Sequence, residues 1–330
     1  MAIRHRYSHD ELEEYFNRIS LPYTRRVHSV AHLSDAEKLD FLHLLQKHQL
    51  CKVPWENLIQ HYSFHHVVHI APSHLFRKIV RNPGRGGYCM EVNYFYHLIL
   101  YSLGFDVYVC GARIYSPSTD TYGGWTHCVN LVTIGGQKYL LDGGFGGNGP
   151  SCPVPLEENV VLEQVAPAEM RLIHEPIREN LNQSQKLWIF QHRYSSSSDW
   201  VTCYSFPDLE FTPADLTAMN LAPSSSRHSF FTHKVVAVRF STSAEINGPQ
   251  GPGSPNEAAL ASPVDGAITL NHDVLKWRRR GQKVVEWTLK SEEERVQALE
   301  MYFGIEVGEE DVRAIEGTAA EVGARAMLHG

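Results

Sequence analysis

Arg85-Gly86-Gly87-Tyr88-Cys89-Met90-Glu91-Val92-Asn93 joins a glycine turn to an apolar run, with a cysteine at the junction. Gly86 and Gly87 open backbone angles closed to other residues. Tyr88 to Leu103 is apolar on nearly every face, the pattern of a buried helix, and Gly104 is placed to cap its end. A cysteine in the first turn of such a helix meets unpaired N–H groups and the positive end of the helix dipole, which favour thiolate over thiol. The same residue also reads as an inert core cysteine. Partners elsewhere in the chain decide between the two.

Upstream, Ser8 with Glu11 and Ser34 with Glu37 form capping boxes ahead of amphipathic helices, and Ser73 opens a short third helix. Residues 1–104 therefore read as a helical domain without a strand pattern. After Gly104 the period changes. Val107 to Ile114, Thr126 to Ile134, Tyr139 to Leu141, Trp188 to Tyr194 and Trp200 to Phe206 are β-branched or aromatic runs between turn signals, which predicts a β-rich domain over 105–210. Phe211 to Asn220 reads as a crossing helix. Lys234 to Phe240, Ala267 to Leu270 and Val284 to Leu289 follow as strands, and Ser291 with Glu294 caps a last helix. The third portion, 211–330, is thus mixed. Within it, 241–266 is rich in Gly, Pro, Ser and Ala and reads as a flexible surface insertion, and the tail beyond Gly317 as loose.

Composition narrows the function. The 330 residues carry a net charge of −7, which argues against a nucleic-acid platform. No stretch approaches eighteen uninterrupted apolar residues, so no membrane partner and a cytoplasmic location are expected. Cys51, Cys89, Cys110, Cys128, Cys152 and Cys203 lie far apart without a CxxC pair, which favours reduced thiols over disulfides or zinc. His61, His65, His66, His69 and His74 crowd one region, but the intervening residues look extended and no carboxylate or cysteine completes a ligand set. They read as surface histidines, and no metal is expected.

Gly144-Phe145-Gly146-Gly147-Asn148-Gly149 imitates a dinucleotide fingerprint after a strand. Pro150, Pro153 and Pro155 forbid the helix that fingerprint must open. What remains is a loop whose backbone a ligand can approach closely. A third constellation fits the cysteine better. Its nucleophile needs a base, and the base needs a group that fixes its tautomer and stabilises imidazolium. His127 lies in one predicted strand and Asp142 at the end of the next, so antiparallel pairing could bring them together. Strand alternation turns Cys128 away from the side His127 faces, which makes it a structural thiol.

These local sequences resemble the arylamine N-acetyltransferase family. RGGYCMEVN at Arg85 to Asn93 is similar to its RGGxCxExN signature, WTHCVNLV at Trp125 to Val132 to its histidine segment, and LLDGGFGG at Leu140 to Gly147 to its aspartate and GFG loop. PWENL at Pro54 to Leu58 resembles its PFENL, with Trp55 where Phe is commoner. The resemblance implies an α+β fold: an N-terminal helical domain, an antiparallel β-barrel and a C-terminal α/β lid around a cysteine-proteinase-like core. It implies Cys89, His127 and Asp142 as catalytic residues, and Arg85 with Glu56 as a structural ion pair. Phe145 would line the acceptor pocket, and Gly123, Gly124, Gly144 and Gly146 would border an acyl-CoA channel.

The implied activity is transfer of an acyl group from acyl-CoA to arylamines, arylhydrazines or N-hydroxyarylamines, by a ping-pong route through acyl-Cys89, as in xenobiotic detoxification. Acetyl, malonyl and propionyl donors all occur among members. The implied partners are therefore a CoA thioester and an aromatic amine, with the protein a monomer or weak homo-oligomer. Two other classes share the trio: a cysteine hydrolase or transglutaminase-like enzyme, and a catalytically silent ligand-binding relative.

Overall fold

Ser8 and Ser34 each accept a hydrogen bond from the N–H of the glutamate three residues on, and each glutamate accepts from the serine N–H. Helices α1 (His9–Arg18) and α2 (Asp35–Lys52) therefore begin where the capping boxes predict. The computed structural model describes residues 4–245 and 257–323. A two-residue strand, β1 (Trp55–Glu56), follows. Helix α3 (Pro72–Ile79) starts at Pro72 rather than at Ser73, because proline's fixed φ and missing N–H suit the first helical position. Helix α4 (Cys89–Leu103) is buried except at Tyr101 and Ser102, and Gly104 ends it at φ 90°. All-round burial follows from its position. It packs on α1 and α3 through Tyr15, Phe16, Phe76 and Ile79, and on the sheet behind it through Val107, Cys128 and Val132.

That sheet is an eight-stranded antiparallel barrel built from β2 (Asp106–Ser116), β3 (Thr121–Ile134), β4 (Gln137–Leu141), β5 (Val154–Pro155), β6 (Leu162–Glu163), β7 (Glu169–Pro176), β8 (Lys186–Arg193) and β9 (Val201–Phe206). The strand order is β5-β4-β3-β2-β9-β8-β7-β6. Val129 and Leu131 of β3 enter the barrel core with Phe190 and Tyr204, while Cys128 and Val132 face the helices. Strand β7 escaped the sequence reading. Only Met170 and Leu172 are buried there, and the charged Glu169, Arg171 and Glu175 between and beside them hide the period.

The remainder comprises α5 (Pro213–Ser225), β10 (Val236–Thr242), α6 (Glu257–Ala261), β11 (Val264–Asn271), β12 (Val274–Arg279), β13 (Gln282–Thr288), α7 (Glu292–Phe303) and α8 (Glu309–Arg313). Its sheet runs β1-β10-β11-β12-β13. Strand β1 pairs with β10 as Trp55↔Val238 and Glu56↔Ala237. The expectation that residues 1–104 hold no strand is corrected accordingly. Two residues are too few for a periodic signal, and only the distant partner makes them a strand. Helix α7 covers one sheet face, packing Leu299 and Phe303 against Leu270, Leu275 and Trp277. Among the described residues, no helix is long and apolar enough to cross a membrane.

The insertion expected over 241–266 is structured at both ends. Ser241 and Thr242 are buried in β10, and the Trp277 indole N–H donates to Ser241 Oγ at 2.8 Å. Glu245 is buried against Arg239 at 2.8 Å, and Leu260 is buried in a small core with Phe240 and Cys51. Residues 246–256 lie outside the described part of the chain. The tail is likewise held from Gly317 as far as residue 323, and residues 324–330 lie outside the described part of the chain. Buried Arg295 needs acceptors and donates to the Ala320 carbonyl at 2.9 Å, while Val322 N–H donates to Glu292 at 2.9 Å.

The turn before α4 rests on buried charge. Glu56 is fully buried and accepts from Arg85 Nε at 3.0 Å, Gly86 N–H at 3.2 Å and Leu58 N–H at 2.6 Å. Lys78 Nζ lies 3.7 Å from Glu56 and 2.7 Å from Glu91, whose second oxygen accepts from Tyr88 N–H at 3.2 Å. Burial opposes the Glu56 carboxylate, yet Arg85 and Lys78 outweigh it and bring its pKa down to about 2. Burial and the neighbouring Glu56 charge push Glu91 the other way, against the pull of Lys78. A carboxyl whose folded pKa falls below its usual 4.5 stabilises the fold above that pH and loses this as pH falls towards 2. Glu56→Gln strips partly buried Arg85 of its carboxylate, leaves Lys78 with Glu91 alone, and is expected to lower stability at pH 7 by about 3–5 kcal/mol. Urea unfolding at stepped pH should show the gap between wild type and variant closing below about pH 4.5; a gap independent of pH would contradict the ion-pair account.

Candidate active site

Cys89 is the first residue of α4 and is only 3% exposed. Two glycines allow close backbone packing around it, Gly86 against Pro54 in the turn before it and Gly144 against Cys89 itself. A Cβ on Gly86 would fall 1.8 Å from the Pro54 carbonyl oxygen, and one on Gly144 would fall 2.7 Å from Cys89 Cα. Neither position tolerates a side chain without moving backbone, so the turn and the glycine loop close on the cysteine only as they stand. On β3 the register passes from Ala112↔His127 to Arg113↔Trp125, leaving Thr126 as an extra residue. Such a bulge re-aims neighbouring groups. Here it turns the Thr126 carbonyl towards Cys89, whose thiol donates to it at 3.7 Å.

His127 projects from the strand beside the bulge, and its Nε2 donates to Asp142 Oδ2 at 2.7 Å. The imidazole also shares a hydrogen bond with Cys89. The structure therefore brings Cys89, His127 and Asp142 together as one chain of contacts. Burial alone would make His127 less basic. The Asp142 charge, with hydrogen bonds to Asp142 and Cys89, reverses this and pushes its pKa up to about 10. Burial likewise opposes the Asp142 carboxylate, and His127, Asn93 and the Gly144 N–H together bring its pKa below the usual value. Cys128 faces the helical side, as alternation predicts, and its thiol donates to the Cys89 carbonyl at 3.5 Å. Burial raises its pKa well above the usual thiol value, so it is a packing residue.

Two members of the site were not singled out in the sequence. Asn93 donates to Asp142 Oδ1 at 2.8 Å and to the Cys128 carbonyl at 2.6 Å, and accepts from Gly143 N–H at 2.8 Å. Its place one turn after Cys89 on the same helix was the available signal. Tyr204, on β9, holds its ring tilted 5.2 Å from that of His127 and 5.1 Å from that of Phe145, with its hydroxyl buried near Asp142. No local pattern marks Tyr204, because only the long-range pairing of β9 with β2, the neighbour of β3, brings it there.

Cys89 opens into a cavity of about 400 Å³. Phe145 and Gly144 line it, as expected, together with Trp55, Ile114 and Phe231. Gly123, Gly124 and Gly146 do not. Gly123 and Gly124 are exposed towards the hairpin end of β3, where the Gly123 carbonyl accepts from Arg113 at 3.0 Å. Gly146 carries the loop past the edge of Trp55 at φ 100°. The far wall is Ala222, Pro223 and the segment from Ser226 to Phe231, which follows α5 and has no sequence motif. His61 is also corrected. It is buried, its Nε2 donating to the carbonyls of Phe231 at 2.9 Å and Lys234 at 3.1 Å, so it ties down that wall instead of facing solvent. Burial brings its pKa down to about 4, which keeps it neutral in this role.

The N-acetyltransferase family model matches residues 38–247. An N-malonyltransferase of Fusarium pseudograminearum is 32% identical over 330 aligned residues, covering 93% of this chain and 91% of that protein. Arylamine N-acetyltransferase 2 of Mus musculus is 28% identical, covering 89% and 94%. Among solved structures, the arylamine N-acetyltransferase from Mycobacterium abscessus superposes with a TM-score of 0.74 at 25% identity, covering 96% of this chain and 100% of that one. With a family model over well more than half its length and a relative above 30% identity along nearly all of it, the chain belongs to the arylamine N-acetyltransferase family and is an acyltransferase.

Proposed function

We propose that this protein transfers an acyl group from an acyl-CoA thioester to the nitrogen of an aromatic amine, through a thioester on Cys89. The observation that carries the reading is the contact chain Cys89, His127, Asp142 at the base of a cavity walled by Trp55, Phe145 and Phe231. In the first half, Cys89 Sγ, its proton held by His127, attacks the thioester carbonyl. A new C–S bond forms, the bond to the CoA sulfur breaks, and CoA leaves as the thiol with the proton from His127. One thioester replaces another, so the acyl group stays activated while the acceptor enters. In the second half the amine nitrogen attacks, the C–N bond forms and the C–S bond to Cys89 breaks. His127 takes the amine proton, which restores the Cys89 thiolate and His127 imidazolium pair of the resting site.

The apolar, aromatic walls favour a planar aromatic acceptor over a peptide or sugar. Acetyl-CoA is one donor to be tested, and the name of the Fusarium relative, an N-malonyltransferase, supports testing malonyl-CoA beside it. Both would act as co-substrates, and the chemistry calls for no metal. Detoxification of foreign amines is the physiological role that fits this acceptor class.

Incubation with acetyl-CoA, malonyl-CoA and propionyl-CoA should add one acyl mass to the intact protein, and Cys89→Ser should abolish the adduct. Peptide or amide hydrolysis with no CoA release would instead support the cysteine-hydrolase reading, and no adduct from any donor would support a silent relative. Asp142→Asn removes the charge that holds His127 protonated and aligned. Its acylation rate is expected to fall by about 10³–10⁴ in stopped-flow thiol release while the far-UV spectrum stays native; full activity in this variant would remove Asp142 from the mechanism.

A further inference from the structure

We infer that Tyr88 and Asn220 are positioning residues that register the acceptor wall of the cavity against Cys89, and so set which aromatic amines reach the acyl group; this rests on the acyl-transfer reading above. Tyr88 occupies the open position of RGGxCxExN, directly before the nucleophile. The motif therefore does not account for a tyrosine there. Its side chain is fully buried, so the hydroxyl needs a partner. It donates to Asn220 Oδ1, on α5, and lies 3.5 Å from the Asn220 carbonyl oxygen. The Asn220 amide donates onward to the Val68 carbonyl at 3.0 Å. Both ends of Tyr88 are thus held. Its backbone N–H donates to Glu91 at 3.2 Å in the first turn of α4, and its hydroxyl holds α5.

The link matters because of where α5 ends. Ala222 and Pro223, just after Asn220, line the cavity, as do Phe230 and Phe231 further on. Pro223 lies inside the helix and lacks an N–H, so the last turn has lost one of its own hydrogen bonds at the wall. Side chains from elsewhere make up for it. Gln60 donates to the Pro223 and Ser224 carbonyls at 3.2 and 3.0 Å, and Asn57 donates to that of Phe231 at 2.9 Å. These bonds fix the wall to the segment after β1, whereas the Tyr88 hydroxyl fixes it to the residue next to Cys89. The ring acts in the same direction. It meets Phe231 edge to face, with 5.3 Å between centroids at 88°, and Phe231 meets Trp55 at 5.7 Å and 66°. Tyr88 is not in the cavity lining, so it acts on a bound ring through Phe231. A planar amine resting on Phe231 therefore presents its nitrogen to Cys89 at a distance that Tyr88 and Asn220 fix.

The two half-reactions separate this role from general support of the fold. With a ping-pong route, kcat/KM for the acyl-CoA reports acylation of Cys89, and kcat/KM for the amine reports transfer from it. Tyr88→Phe, which keeps the ring, Asn220→Ala and the double variant are compared with wild type, with thermal unfolding to confirm the fold. In each single variant the amine value divided by the acyl-CoA value is expected to fall about tenfold for aniline. A larger amine such as 2-aminofluorene fills a slackened cavity better and should lose less, so selectivity shifts towards large acceptors. The double variant should lose no more than either single one, because each removes the same bond. Should Asn220→Ala not fold, Tyr88→Phe still decides the ratio. Equal loss in both half-reactions, or no loss in either, would overturn the positioning role, and additive losses would overturn the pairing; both outcomes leave the acyl-transfer reading intact. If wild type takes no acyl group from any donor, that reading itself fails and this inference with it.

Discussion

The buried carboxylate of Asp142 is the constraint on which the rest of the site depends. One of its oxygens faces His127 and the other accepts from Asn93 and from the Gly144 N–H. Three separate pieces of chain meet there: the barrel strand with His127, the helix with Cys89, and the loop that forms the cavity floor. A bare carboxylate in such a place would be expelled or protonated. Because it is satisfied on both oxygens, its charge persists, and that charge makes a buried imidazole more basic instead of less. Geometry and electrostatics are set by one group.

A second buried carboxylate, Glu56, does the matching work on the other side of Cys89. It neutralises Arg85 and Lys78 and takes the Gly86 N–H, which fixes the turn feeding α4. Its strand also pairs with β10, so the residue that braces the turn before Cys89 also anchors the C-terminal sheet. Through Trp55 that sheet reaches the active-site cavity directly. Helical region, barrel and C-terminal sheet therefore do not merely surround the site. Each supplies one of its walls, and the principal core runs without interruption from Tyr7 on the helices to Leu141 on the barrel and Val236 on β10.

The character of the cavity at Cys89 follows from local composition. Aromatic residues from β1, the glycine loop and the segment after α5 enclose the thiol. The C-terminal sheet next to it commits one side to the core under α7, while the other packs Phe240 and Ala267 against Leu50 and Cys51 of α2. A polyanion could not be accommodated next to Cys89 without desolvation cost.

By itself the sequence determined the helix from Cys89 to Leu103, its caps, most of the long strands and the trio Cys89, His127 and Asp142. Each of these is written in short-range signals: a capping residue, an apolar period, a motif a few residues long. Tertiary structure alone decided the pairing of Trp55 and Glu56 with β10, the bulge at Thr126, the approach of Tyr204, the burial of His61 and Glu245, and the cavity wall after α5. It also moved Gly123, Gly124 and Gly146 away from the cavity that motif position assigned them. These features depend on which distant segments close over one another. Chain-local propensity carries no record of that, because the energy that fixes them comes from burial and charge pairing between residues far apart in sequence.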